Sequence, residues 1–280
     1  MQHQFLRDYS IEITAKDVVE LSSERDRLRP ETRVSITFLP GDKIYELAQV
    51  AARVRALGLT PVPHLSARRI ASENELTRFL TALRRDAQVD RAFVVAGDPD
   101  VPIGPFAEAL DLIRCGALAK AGIRHVGIAG YPQGHPKIPE KLLAIAMQDK
   151  LAALSAAGQD AEIVTQFAFD ATAMLTWLER LRGDSIEAPV RFGLAGPTSV
   201  QALLRFAARC GVTASTQVLA KHGVSLTRLL GTATPGGLIA SLIECLDPAL
   251  HGRVGAHLYP FGGVAKLVDW VSAFKVETTD

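Results

Sequence analysis

The side chains best suited to chemistry in this sequence stand where short apolar runs end. Glu12 lies in Ser-Ile-Glu-Ile-Thr; between two isoleucines a carboxyl group loses hydration, which raises its pKa and suits it to be a general acid. The alternative is a solvated carboxylate at a strand end. Asp98 follows a glycine in Val-Val-Ala-Gly-Asp-Pro, so the backbone can approach a ligand closely there, although Gly-Asp-Pro is also an ordinary turn. His64, in Val-Pro-His-Leu-Ser, can meet a phosphate or a polar ring, or be a satisfied structural residue. Gln166 offers both a donor and an acceptor, the pattern a heterocycle demands.

The stretch from Gly130 to Pro136 is denser than a connection requires. It packs two glycines, two prolines, Tyr131 and His135 into one loop after an apolar run. Tyr131 can wall a flat cofactor or finish the core edge; His135 can bind a ligand or cap its own loop.

Other chemistries lack their signatures. There is no His-x-His to suggest a metal-dependent barrel hydrolase, no Gly-x-Gly-x-x-Gly or Walker-type loop, and no Gly-x-Ser-x-Gly elbow. A nucleotide would therefore be held by loops at a sheet rim.

These residues need a scaffold that brings strand ends together. Eight apolar or β-branched runs recur, at 9–14, 33–38, 60–65, 91–96, 124–129, 162–167, 190–195 and 254–259. Helical patterns separate them. Asp42 opens one that ends at Gly58, and Ser72-Glu-Asn-Glu75 reads as a capping box. Further helices are expected over 105–121, over 139–157, after Asp170, and after Thr198 or Ser199. Strand and helix alternating eight times in one domain of 280 residues predicts a single (β/α)8 TIM barrel spanning 1–280, with a doubly wound open sheet as the alternative. The interval between 195 and 254 exceeds one helix, so extra helices over 214–230 and 238–245 are expected before the last strand. On a barrel, Glu12, Thr37, His64, Asp98, Tyr131, Gln166 and Tyr259 would converge on one rim.

Composition narrows the class further. A net charge of +1 and a pI near 7.8, with mixed signs along the chain, give no general attraction to nucleic acid or acidic membranes. Cys115, Cys210 and Cys245 are scattered, without Cys-x-x-Cys pairing, which fits a reducing cytoplasm. The longest uncharged run, 229–243, is too short and too broken by glycine and Pro235 to span a bilayer. A soluble cytoplasmic protein is expected.

Taken in order, Ser10-Ile-Glu12, Val34-Ser-Ile-Thr37, Pro63-His64-Leu65, Gly97-Asp98, Tyr131-Pro-Gln-Gly-His135-Pro136, Thr165-Gln166-Phe167 and His257-Leu-Tyr259 resemble the methylenetetrahydrofolate reductase family. These are flavoproteins built on a (β/α)8 barrel. The resemblance covers nearly the whole chain and points to a divergent branch. It implies bound FAD, a folate substrate, and NADH, NADPH or another donor; it leaves a homo-oligomer open.

By the same resemblance Glu12 is the acid that opens the methylene bridge, Asp98 the carboxylate between flavin and pterin, and Gln166 the pterin's hydrogen-bonding partner. Tyr259 joins the substrate side, and Thr37, His64, Tyr131 and His135 line the FAD site. The family's lysine in the helix before the Gln166 strand corresponds to Lys150 or, counting from Gly158, to the position of Leu154. Three departures stand out. Ala96 replaces an arginine before the Gly-Asp pair, for which Arg68 and Arg69 are the substitutes at hand; Val200 stands where an aromatic is usual; and Gly263 stands where an arginine is usual. A folate- or flavin-binding barrel without turnover is the alternative, and a metal-dependent barrel enzyme ranks behind both.

Overall fold

Alternation along each strand decides what the barrel holds and what it leans on. In β1 (Ser10–Ile13), Ile11 and Ile13 are buried in the main core, and so are Val34 and Ile36 of β2 (Arg33–Ile36). The residues between them, with Val62 of β3 (Thr60–Ser66), Phe93 of β4 (Arg91–Val95) and Gly127 of β5 (His125–Gly130), turn inward. A period of two thus sends branched apolar side chains toward the helices and leaves small, aromatic and polar ones to the interior.

The computed structural model describes residues 4–210 and 232–274. Completed by β6 (Asp160–Phe167), β7 (Val190–Ala195) and β10 (Val254–Tyr259), the sheet closes in the order β1-β10-β7-β6-β5-β4-β3-β2 with every pairing parallel. This is the (β/α)8 barrel expected, and all eight predicted runs are its strands. A two-residue pair, β8 (Thr198–Ser199) with β9 (Thr232–Ala233), is antiparallel and lies outside it. The helix Gly236–Cys245 and the short turn Pro248–His251 precede the last strand. The helix expected over 214–230 lies outside the described residues.

Several helix details differ from expectation. Asp42 caps the turn before the helix Ile44–Ala56, its Oδ2 accepting from Leu39 N at 2.8 Å, and Lys43 is the helix N-cap. The segment 105–121 is two short helices, Ala109–Arg114 and Ala117–Lys120, because Gly116 at φ 73° breaks the run. Ser72 accepts from Glu75 N as a capping box requires, but Glu75 reaches back to Ala71 N instead of Ser72. Asp170 caps the helix Ala171–Gly183 through Thr172 N and Ala173 N, and Ser199 Oγ accepts from Ala202 N at the start of Val200–Cys210.

The N-terminal mouth of the barrel is held by charge. Arg191, 5% exposed, donates to Glu162 Oε1 and Asp8 Oδ2 at 2.8 Å each, and Arg33 joins the same two carboxylates. A cavity of about 1010 Å³ opens at this mouth. Most of its charges already pair with one another: Arg124 with Asp90, Arg55 with Glu31, His125 with Asp160. Among the described residues no helix is long and apolar enough to cross a membrane.

Candidate active site

At the opposite, C-terminal mouth, Glu12 sits between two imidazoles. Its Oε2 is 3.4 Å from His64 Nε2 on β3 and 3.5 Å from His257 Nε2 on β10. Parallel registry produces this: Ser10 pairs with His257 and Glu12 with Ser35, so neighbouring strands deliver all three side chains to one level. His257 is 1% exposed and its Nδ1 lies 2.8 Å from Ser10 Oγ, which orients the ring. His64 rests on Phe93 with centroids 4.7 Å apart, and Phe93 in turn occupies the space a side chain at Gly127 would need, 2.7 Å from where its Cβ would stand.

This geometry corrects the expected ionisation of Glu12. Burial pushes its pKa up, but the polar and charge interactions of His257 and His64 with the carboxylate outweigh burial and pull it down to about 2. The isoleucines beside it in sequence face the helices, not the carboxyl group. Glu12 is therefore an ionised carboxylate at neutral pH, and any proton it delivers must come from a neighbour. Among the described residues no group of three or more His, Cys, Asp or Glu side chains could hold a metal ion.

A second feature opens beside β4 and β5, a cleft of about 780 Å³ lined by Ala96, Ala129, Tyr131, Gly134, Met147 and Lys150. Tyr131 and His135 meet edge to face at 5.1 Å, and Gly134 turns the loop at φ 80°. Burial raises the Tyr131 pKa; burial first and Lys137 second lower that of His135. Lys150, on the helix Glu140–Ala156, is held below its usual pKa by burial, with Glu108 acting against the shift. Among the described residues its ammonium has no ion pair within 4.0 Å, so it is a cation in search of an anion. Apolar walls, an aromatic loop and half-buried Lys150 offer contacts to a flat ring system carrying a diphosphate, while Glu108, Glu140, Asp149 and Asp184 line the same cleft.

Gln166 lies at a register shift in β6 between Val164 and Phe167, and Tyr259 reaches the residue before it. The bulge turns Gln166 back, its Oε1 accepting from Phe167 N at 3.1 Å, while Tyr259 donates through its hydroxyl to Thr165 O at 3.1 Å. Thr37 donates to Ile13 O at 2.8 Å and ties the ends of β1 and β2. Asp98 stands apart from the Glu12 cluster's contacts: it is 60% exposed and accepts from Arg69 Nε at 3.0 Å.

A family model described as methylenetetrahydrofolate reductase matches residues 9–223. The chain belongs to the methylenetetrahydrofolate reductase family. It is 25% identical over 211 residues to methylenetetrahydrofolate reductase 2 of Saccharomyces cerevisiae, covering 71% of this chain and 34% of that protein. The chain thus spans about a third of the length of the curated relative it matches. Among solved structures it superposes with a type I 3-dehydroquinate dehydratase from Clostridium difficile at TM-score 0.43 and 15% identity, over 66% of this chain and 74% of that one. The corresponding enzyme from Geobacillus kaustophilus gives 0.42 and 13%, over 67% and 73%. Both superpositions are too loose to bear on the site.

The departures from the family pattern have local causes. Leu154 is fully buried in the core, leaving Lys150 as the lysine that faces the cleft. Arg68 does not stand free in place of the arginine missing at Ala96; it donates to Ala107 O at 2.7 Å and Pro99 O at 3.0 Å and pins the loop after β4. Arg69 pairs with Asp98 and lies over Phe38. Gly263 has φ 104°, a conformation that strains any other residue, an arginine included. Val200 is buried, but Phe206 six residues on stacks against Phe261 at 4.1 Å and 11°, and Phe261 against Tyr259. Sequence reasoning passed over His257 as a site residue and missed this aromatic wall. The available signals were the His-Leu-Tyr spacing and the concentration of Phe and Tyr around 259–261.

Proposed function

We propose that this chain is an FAD-dependent oxidoreductase interconverting methylenetetrahydrofolate and methyltetrahydrofolate. The observation that carries the reading is a partly buried carboxylate, Glu12, flanked by His64 and His257 at the C-terminal mouth of a barrel of this family. Bound FAD, when reduced, supplies the hydride. Tyr131, His135, Thr37, His64 and Lys150 hold the cofactor, the Lys150 ammonium meeting its diphosphate. Asp98 and Gln166 orient the pterin, Gln166 after releasing Phe167 N, and Tyr259 borders the substrate. Glu12 delivers the proton that opens the methylene bridge. The barrel acts as a cytoplasmic enzyme with NADH or NADPH as candidate donors.

The experiment is an anaerobic spectrum of purified protein supplied with FAD, to which methyltetrahydrofolate and then NADH or NADPH are added separately. Uptake of FAD and bleaching of its band by methyltetrahydrofolate are expected. No uptake of FAD refutes the reading. FAD uptake without bleaching favours the second reading, a folate- or flavin-binding barrel without turnover, for which the engagement of Arg68 and Arg69 with their own loops speaks.

A further inference from the structure

The isoleucines flanking Glu12 face the helices and do not keep it protonated, yet the proposed reaction needs a proton from it. The groups in reach are His64 and His257, and they differ. His64 rests on Phe93 and its role in the proposed function is toward the cofactor. His257 is the more deeply buried, its Nδ1 is engaged by Ser10, and its Nε2, aimed at Glu12, is a buried polar atom without a directed hydrogen bond. Such an atom is costly to bury unless it serves a second state.

Ser10 is a fitting partner for that second state. A serine hydroxyl accepts from Nδ1–H when the imidazole is charged, and still accepts from it in the neutral ring left after Nε2 gives up its proton. The ring can therefore gain or lose a proton at Nε2 without losing its anchor.

We propose that Ser10 and His257 form a proton-storing dyad that loads Glu12, making His257 a positioning and proton-supplying residue behind the carboxylate. The inference rests on the proposed reaction. A proton on His257 Nε2 passes to Glu12 Oε2 and then to the substrate nitrogen. The bond from that nitrogen to the bridging carbon breaks with its electron pair staying on nitrogen, and the resulting iminium carbon takes the hydride. One proton and one hydride convert methylene to methyl, and water reprotonates His257. The 3.5 Å gap is long for transfer in the free protein and shortens when a ligand fills the mouth.

The test compares wild type with His257→Gln, which can hydrogen-bond but cannot carry a proton. Protein with photochemically reduced FAD is mixed anaerobically with methylenetetrahydrofolate, or with an artificial quinone, whose reduction by flavin needs no protein acid. Separately, Glu12 is titrated by carboxyl ¹³C NMR in protein without FAD, assigned by its loss in Glu12→Gln. The variant should be reoxidised by folate about 100-fold more slowly and by quinone within about twofold of wild type. Its Glu12 should titrate at least about one pH unit higher, because the imidazolium is gone. Ser10→Ala should lie between the two, and Ser10→Thr should restore wild-type behaviour; this pair carries the comparison if His257→Gln fails to fold. Folate and quinone rates falling together, an unchanged folate rate, or an unchanged Glu12 titration would each overturn the dyad. If wild-type protein reacts with quinone but not with folate, the proposed reaction fails instead, and the titration alone decides whether His257 governs the proton on Glu12.

Discussion

Glu12 shows how far a local sequence environment can mislead about a titratable group. Its flanking isoleucines suggest a carboxyl group kept neutral, but alternation sends them outward and brings in two histidines from strands 52 and 245 residues away. The folded pKa, about 2, lies below the usual 4.5. Between those values the unfolded chain binds more protons than the native one. Glu12 therefore stabilises the fold fully above pH 4.5, and that contribution is lost as the pH falls toward 2, at most about 3 kcal/mol in all. Urea unfolding of wild type and Glu12→Gln across this range should show the difference between them shrinking with acid; a difference independent of pH would remove the histidines' hold on the carboxylate. The same scale holds a second lesson. Lys150 could not be chosen over Leu154 by counting from Gly158, whereas burial separates them at once.

At the scale of elements, the strands were readable because a parallel barrel strand buries its outward residues against helices, giving apolar runs that stand out between glycines and charges. Helix 105–121 was misread as continuous because a single glycine in an apolar segment is weak evidence, and only its φ of 73° shows the break. The charge network under the barrel was invisible, since Asp8, Arg33, Glu162 and Arg191 are far apart in sequence and each looks like a solvated strand-end charge. Glu162→Ala should cost about 2 kcal/mol in chemical unfolding, below the about 3–5 kcal/mol for breaking a fully buried pair because Asp8 still holds Arg191. Gly127→Ala tests the floor of the site. Its methyl group meets Phe93, on which His64 rests, so a loss of about 1–3 kcal/mol should come with weaker FAD retention. Unfolding at wild-type denaturant with FAD binding intact would show that Phe93 moves aside freely.

Over the whole molecule, the two mouths of the barrel divide the work. The N-terminal mouth holds charges that satisfy one another, the C-terminal mouth holds a carboxylate between two imidazoles, and the cleft beside β4 and β5 carries a cation without an ion pair among the described residues. The motif order pointed to the rim at the C-terminal ends of the strands. What it did not reveal were the contacts between rims and loops, such as Asp98 with Arg69 or Gln166 with its own strand, which depend on a bulge and a turn. Lys150→Met, which removes the charge while keeping the chain, should weaken FAD binding about tenfold or more with the melting temperature unchanged or raised, because a desolvated ammonium is gone; unaltered affinity in equilibrium dialysis would take Lys150 out of the cofactor site. Cofactor cleft and proton cluster should also separate functionally. The most direct measurement is made on Glu12→Gln, reading FAD content and folate-dependent flavin turnover on the same sample. FAD content equal to wild type with turnover lower by about 100-fold or more is the expected result, and near-normal turnover, or loss of FAD together with activity, would contradict the division.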